Sequence, residues 1–152
     1  MSNRFNHVGI TVSNLERSID FYTRILGLDV PPEGWNFSIE GDWLGRMVGS
    51  EDPEIRIAFI PLDHGILELL EYQRPTDGLQ SATLRNWDVG AMHVCLNIND
   101  LAGFYRDNKD TVNFTSEPQV VKGGPWQGGL VVYLHDPDGI SVELADTSED
   151  IS

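Results

Sequence analysis

Two histidines occupy matching positions of an internal repeat in this sequence. His7 begins His-Val-Gly-Ile-Thr-Val-Ser-Asn-Leu at residues 7–15, and His93 begins His-Val-Cys-Leu-Asn-Ile-Asn-Asp-Leu at residues 93–101. His, Val and Leu therefore recur in register. One histidine in a strand is more often a polar-face residue than a metal ligand, but a pair at matching positions indicates a shared role.

Each half of the chain also carries a glutamate inside an apolar strand. Glu68 lies in Gly-Ile-Leu-Glu-Leu at residues 65–69, and Glu143 lies in Gly-Ile-Ser-Val-Glu-Leu at residues 139–144. Because side chains alternate between the two faces of a strand, the apolar neighbours bury and the carboxylates point the other way. Two imidazoles and two carboxylates suit a divalent Ni, Co, Zn, Mn or Fe ion. The predicted metal ligands are His7, Glu68, His93 and Glu143.

Other residues of similar chemistry compete with this set. Glu71 follows the first glutamate by three positions, so it should point to the opposite face of a regular strand. His64 and His135 lie at the edges of turns and break the repeat, which favours a structural or substrate-adjacent role. Cys95 shares the face of the second histidine and is a candidate soft ligand, although a small buried apolar residue is the favoured interpretation.

Periodicity predicts the elements that must position these residues. In the first half, Phe5–Val12 alternates as a strand, Ser13-Asn14 caps a helix that runs to Leu26, and Gly27 ends it. Residues 31–53 predict a strand and an ordered loop, and residues 55–61 and 66–72 predict a hairpin turning at Asp63-His64-Gly65.

The second half repeats this order after a connector at residues 74–88, which has room for one helical turn. Residues 91–98 predict a strand, Asn99-Asp100 caps a shorter helix, and a Gly- and Pro-rich loop leads to strands at 130–134 and 140–144. We expect a frayed acidic tail from Asp146. The sequence thus predicts an α+β fold of paired βαβββ modules at 1–88 and 89–146, with a tail at 147–152.

Composition excludes several classes of protein and partner. The chain has 152 residues, 40% of them hydrophobic, which suits one globular domain. Ten basic and 24 acidic residues give a formal net charge of −14, so we expect neither nucleic acid nor a membrane as a partner. The single Cys95 cannot form an internal disulfide, and no apolar signal-like stretch follows Met1. We therefore expect a cytoplasmic protein.

With these residues identified, the sequence resembles the vicinal oxygen chelate superfamily, which includes glyoxalase I, methylmalonyl-CoA epimerase, extradiol dioxygenases and antibiotic resistance proteins. The residues that carry the resemblance are 7–10, Leu15, 21–27, 67–71, 93–94, 136–139 and 142–144. The resemblance implies an open, curved sheet around a metal site, a small-molecule substrate and a homodimer. It assigns metal ligation to His7, Glu68, His93 and Glu143.

The complete ligand set resembles the glyoxalase I and epimerase branch. This branch implies a metal-dependent lyase, isomerase or epimerase that abstracts a proton next to a carbonyl through a metal-stabilised enediolate. Candidate bases are Glu68 and Glu143, with Glu71 as a base away from the metal, and the sequence does not choose among them. Two alternatives stay open: a non-haem iron dioxygenase, and a non-catalytic small-molecule binding or antibiotic resistance protein. The sequence also leaves open the metal, the substrate and whether the site is shared across a dimer.

Some residues are candidates for contacting a substrate. The aromatic candidates are Trp35, Phe37, Trp43 and Trp126, although core packing is the favoured role for any one of them. The cationic candidates for an anionic substrate are Arg46, Arg56, Arg74, Arg85 and Lys122. The segment Gly123-Gly124-Pro125 is either a lid or a simple loop.

Overall fold

The computed structural model describes residues 3–147, and the chain divides into two compact units between Ser81 and Ala82. The elements of the first unit are β1 (His7–Thr11), α1 (Leu15–Asp20), β2 (Asn36–Glu40), α2 (Asp42–Val48), β3 (Glu54–Leu62) and β4 (Gly65–Arg74). Those of the second are β5 (Val94–Asn97), α3 (Leu101–Asn108), β6 (Asn113–Phe114), β7 (Gln119–Val120), β8 (Leu130–His135) and β9 (Ser141–Asp146). The predicted α+β class is confirmed.

Each unit contains its own open sheet. In the first unit the strand order is β1-β4-β3-β2, with β1 parallel to β4. In the second unit the order is β5-β9-β8-β6, with β5 parallel to β9, and β7 also pairs with β8. In both units the first strand of the module therefore lies beside its last strand. This pairing brings each histidine next to the strand that carries the glutamate of its own unit.

The two faces of the first sheet have different surroundings. Leu67 and Leu69 are fully buried, and Glu71, which follows on the same face, reaches the N-terminus of α1. On the opposite face, Leu44 of α2 packs with residues of β3 and with Leu70. Glu68 alternates with Leu67 and Leu69, so it shares the α2 face and is separated from α1 by the sheet.

The first helix agrees with the prediction but changes its winding. α1 continues as a π-helical segment over Phe21–Ile25, where the Leu26 N–H donates to the Phe21 carbonyl at 3.0 Å. Gly27 follows with a φ of 77°, a conformation that glycine adopts without steric cost. The predicted end of this helix at Leu26-Gly27 is therefore confirmed.

Helix α2 corrects the expectation of an ordered loop within residues 31–53. The apolar residues Trp43, Leu44, Met47 and Val48 recur at helical spacing, a signal that the expectation of a loop missed, although only Leu44 of the seven residues is buried. Gly41 and Gly49 delimit the helix, and the left-handed conformation of Gly49 provides its C-terminal cap. The helix is stabilised mainly by packing of Leu44 against the buried Ile55 and Ile57 of β3.

The second unit differs from prediction in its short strands and at its end. The loop expected before residue 130 contains β6 and β7, which are too short to show alternation in sequence. Asp146 was expected in a frayed tail but belongs to β9, and its carboxylate accepts the Leu101 N–H at 3.1 Å. The rest of the predicted tail, residues 148–152, lies outside the described residues.

The connector between the modules contains turns rather than the helical turn that we expected. Its second part belongs to the second unit, because the Ala82 N–H donates to the Asp138 carbonyl at 2.8 Å and Ser141 Oγ donates to Asn86 Oδ1 at 2.5 Å. Within residues 3–147, no helix is long and apolar enough to span a membrane.

Candidate functional site

The first predicted pair, His7 and Glu68, comes together in the first unit. His7 Nε2 lies 3.4 Å from Glu68 Oε2, and the two side chains are 45% and 15% exposed. His7 Nδ1 lies 2.6 Å from Asn6 Oδ1. Because an amide oxygen can only accept a hydrogen bond, this contact assigns a proton to Nδ1 and leaves Nε2 with a lone pair in the neutral ring.

Gly9 makes room for the carboxylate of this pair. It is the direct partner of Glu68 in the parallel pairing of β1 and β4. A Cβ at this position would lie 3.0 Å from Glu68 Oε2, closer than a side chain is normally accommodated. The absence of a side chain at Gly9 therefore lets the Glu68 carboxylate approach His7.

The second pair, His93 and Glu143, comes together in the second unit. His93 Nε2 lies 3.1 Å from Glu143 Oε2, and the side chains are 43% and 19% exposed. His93 precedes the first residue of β5, whereas we expected it inside the strand. The two units thus present the same kind of pair: a half-exposed imidazole against a largely buried carboxylate.

Tyr133 joins the second pair and was missed from the sequence. It is the direct antiparallel partner of Glu143, and its ring packs edge-to-face on His93 with the centroids 5.1 Å apart. Its hydroxyl oxygen lies 3.3 Å from His93 Nε2. Burial, the negative charge of Glu143 and hydrogen bonding to that carboxylate raise the pKa of Tyr133. The signal in the sequence was a tyrosine in the otherwise apolar run at residues 130–134.

Cys95 is exposed, in contrast to the favoured interpretation as a buried apolar residue. It pairs with Glu143 across β5 and β9. Partial desolvation of the thiol, together with the charge of Glu143 and hydrogen bonding to that carboxylate, raises the pKa of Cys95 to about 12. The sulfur is therefore a protonated thiol at neutral pH, and its reactivity as a nucleophile is low.

Glu71 lies on the other face of the first sheet, as strand alternation predicts. Its Oε2 accepts the Leu15 N–H at 3.0 Å and lies 3.4 Å from Arg56 Nη1. Asp146 makes the matching contact with Leu101 in the second unit. Both carboxylates follow the glutamate of their unit by three residues, so each module uses this position to hold the N-terminus of its helix.

The four candidate ligands are grouped as two pairs. Among residues 3–147, no three His, Cys, Asp or Glu side chains are close enough together to hold one metal ion. His64 is exposed in the β3–β4 turn and His135 ends β8, so neither joins a pair.

The candidate substrate-contacting residues divide into two groups. Trp35 and Phe37 are 38% and 39% exposed, and both rings pack on Phe59, the direct antiparallel partner of Glu68. This half-exposed aromatic group borders the first pair. By contrast, three of the candidate cations are held by carboxylates of their own unit: Arg56 by Glu16, Arg74 by Glu54, and Arg85 by Asp88.

Comparison with known proteins places this geometry in context. A family model described as the Glyoxalase/Bleomycin resistance protein/Dioxygenase superfamily matches residues 4–144. A 2-epi-5-epi-valiolone epimerase from an Actinomyces species is 29% identical over 143 residues, covering 91% of this chain and 76% of that protein. Lactoylglutathione lyase of Escherichia coli O157:H7 is 25% identical, covering 96% and 94%. Human mitochondrial methylmalonyl-CoA epimerase is 27% identical, covering 93% and 72%.

Solved structures show the same fold. A glyoxalase family protein from Bacillus cereus superposes with a TM-score of 0.79 at 23% identity, covering 97% of this chain and 95% of that one. Glyoxalase I of Leishmania major gives a TM-score of 0.59 at 24% identity, covering 95% and 87%. With its repeated modules and a family match over nearly its whole length, the chain belongs to the Glyoxalase/Bleomycin resistance protein/Dioxygenase superfamily.

Proposed function

We propose that this protein is a divalent-metal-dependent enzyme that abstracts a proton next to a carbonyl, in the manner of a glyoxalase or an epimerase. The observation that carries the proposal is the presence of a His–Glu pair at the same position in both modules. A pair of this kind in one module has many structural explanations. Its repetition on matching strands, with each imidazole half exposed, favours a shared function.

The donor set fits a divalent ion. In the first pair, the contact of Nδ1 with Asn6 turns Nε2 of His7 towards Glu68, so an imidazole nitrogen and a carboxylate oxygen lie side by side. These two atoms would hold a cation together. Two imidazoles and two carboxylates match the preferences of Ni, Co, Zn, Mn and Fe. A bound ion would supply Lewis-acid stabilisation of the negative charge that develops on the substrate oxygens.

The protein itself supplies the base. We assign proton transfer to Glu68 or Glu143, because each is close to a histidine and partly exposed. Glu71 is a weaker candidate because its carboxylate accepts the Leu15 N–H on the other face of the sheet. The base removes the proton next to the carbonyl. Return of the proton to the same carbon is the reaction of an epimerase, and return to the neighbouring carbon is that of an aldose–ketose type of isomerase.

The substrate is proposed to be a small molecule with an acidified hydrogen next to a carbonyl. The aromatic group of Trp35, Phe37 and Phe59 would contact its apolar part or its ring. We also propose a homodimer, which the family resemblance implies, and a cytoplasmic location, which the single cysteine favours.

The test combines metal analysis with proton exchange. Purified protein should contain nickel, cobalt or zinc at near-stoichiometric amounts, and the His7→Ala/Glu143→Ala double variant should lose it. With the metal restored, the wild-type protein should exchange the α-proton of 2-oxo or 2-hydroxycarbonyl compounds with deuterium from solvent, measured by NMR.

Other outcomes would select the alternatives. Iron with oxygen uptake on a catechol would replace this proposal with a dioxygenase. Stoichiometric binding of a small molecule, unaffected by chelator and without any metal after reconstitution, would replace it with a binding protein.

A further inference from the structure

The two His–Glu pairs match in their ligands but differ in what surrounds them. Glu68 has Gly9 and Phe59 as its direct cross-strand partners. Glu143 has Cys95 and Tyr133 at the same two positions. Because directly paired side chains share a face of the sheet, the first carboxylate is flanked by a hydrogen atom and a phenyl ring, and the second by a thiol and a phenol.

The histidines also depend on different neighbours. Asn6 precedes His7, and its amide oxygen lies 2.6 Å from His7 Nδ1. The matching residue before His93 is Met92, which is 76% exposed and has no oxygen to accept a hydrogen bond. The sequence neighbour that orients the first imidazole therefore has no counterpart in the second unit.

Tyr133 is a polar neighbour of the second imidazole. Its ring plane is 84° from that of His93, and its hydroxyl oxygen lies 3.3 Å from Nε2 and 3.5 Å from Nδ1. Tyr133 is also the direct antiparallel partner of Glu143, so its side chain lies on the same face of the sheet as that carboxylate. The ring restricts rotation of the imidazole, and the phenol lies beside both members of the pair.

We propose that Tyr133 is a positioning residue, which holds His93 and Glu143 in the arrangement that binds the metal ion through the packing of its ring and the contact of its hydroxyl. This inference rests on the proposed function, because it assigns a role towards the metal. Phe59 is the residue at the matching position of the first unit. It cannot play this part there, because it has no hydroxyl and packs on Trp35 and Phe37.

The experiment measures binding of Co²⁺ alone to the full-length metal-free protein. Tyr133→Phe keeps the ring and removes the hydroxyl, and Tyr133→Leu removes both. We expect Tyr133→Phe to weaken Co²⁺ binding by about tenfold or more, the usual effect of removing a group that orients a metal ligand, and Tyr133→Leu to weaken it further. The visible absorption spectrum of bound Co²⁺ should change in both variants, because the ligand geometry changes.

Two controls separate positioning from a general structural role. Tyr105→Phe makes the same chemical change at a ring that packs on Phe114, and it should leave Co²⁺ affinity and spectrum unchanged. Thermal unfolding of the metal-free protein should give the same midpoint for Tyr133→Phe as for the wild type.

The outcomes distinguish this inference from the proposed function. If the wild-type protein binds Co²⁺ and Tyr133→Phe binds it with the same affinity and spectrum, the positioning role is wrong and the metal enzyme stands. If Tyr133→Phe lowers the thermal midpoint of the metal-free protein, a structural role replaces the positioning one. Failure of the wild-type protein to bind Co²⁺ would overturn the proposed function and this inference together.

Discussion

At the scale of single residues, the space beside a carboxylate is as important as the carboxylate itself. Glu68 approaches His7 because its cross-strand partner, Gly9, has no side chain. The backbone of Gly9 is not in the left-handed region, so a substitution tests crowding without adding backbone strain.

We predict that Gly9→Ala weakens metal binding. The added Cβ would lie 3.0 Å from Glu68 Oε2 and 3.3 Å from Leu70 Cδ1, so the carboxylate must move away from His7. The expected loss of Co²⁺ affinity is about tenfold, measured by competition with a chelator. Gly78→Ala is the matched control, because a Cβ there meets no atom within 4 Å. Equal Co²⁺ affinities for the two variants would show that the carboxylate adapts without cost.

At the scale of elements, α1 and α3 are each held at the N-terminus by two side chains. Asn14 accepts the Arg17 N–H at 2.8 Å, and Asp100 accepts the Gly103 N–H at 3.0 Å, which confirms both predicted caps. A carboxylate from the last strand of the module adds a second contact, from Glu71 in the first unit and from Asp146 in the second. Only the caps are visible in sequence, because the strand carboxylates are distant in the chain.

We predict that Glu71→Ala and Asp146→Ala each lower the free energy of unfolding by about 1 kcal/mol. Each change leaves the first N–H of a helix without its acceptor and removes a negative charge from the helix N-terminus. Urea unfolding of the metal-free protein measures the loss. Glu117→Ala removes an exposed carboxylate from a loop and should have no effect. A loss no greater than that of the control would show that water replaces these contacts.

The ion pair of Arg56 with Glu16 of α1 predicts that the free energy of unfolding depends on pH. The hydrogen bonds of Arg56 to Glu16 lower the pKa of Glu16 below the ordinary value of 4.5. A lowered pKa means that the contribution to stability is present above the ordinary value and is lost as the pH falls through the lowered one. Because Glu16 is 62% exposed, the contribution is about 0.5 kcal/mol at most.

We therefore expect the difference in urea-unfolding free energy between the wild type and Glu16→Gln to be measurable at pH 7 and to vanish in strong acid. Arg24 lies in the continuation of the same helix and pairs with Asp20, so Arg24→Gln should leave the pH dependence of this difference intact. A difference that persists at low pH, where the carboxyl group is protonated, would show that the effect does not depend on the charge of Glu16.

At the scale of the whole molecule, the question is whether the two His–Glu pairs bind one metal ion together or one ion each. If all four residues serve one site, metal analysis of the loaded protein should give one divalent ion per chain. Substitution of either pair, by His7→Ala/Glu68→Ala or by His93→Ala/Glu143→Ala, should then abolish tight binding rather than halve it. Two ions per chain, with one lost in each double variant, would show that the pairs bind independently.

The sequence by itself determined the order of the modules and the residue types of the candidate ligands. Strand alternation, helix caps and the repeat are properties of neighbouring residues, so they appear in the chain before it folds. The strands β6 and β7 were missed because two residues cannot show alternation, and α2 was missed because its apolar spacing is confined to seven residues between two glycines.

Only the tertiary structure decided which residues surround each ligand. Tyr133 lies ten residues from Glu143 in the chain and forty from His93, and it joins them through the register of β8 against β9. Strand alternation predicts that Glu71 and Glu68 lie on opposite faces of one sheet, but only packing decides that Glu71 reaches a helix terminus and Glu68 a histidine. Register and packing arise from contacts between distant segments, and the local pattern of the sequence does not specify those contacts.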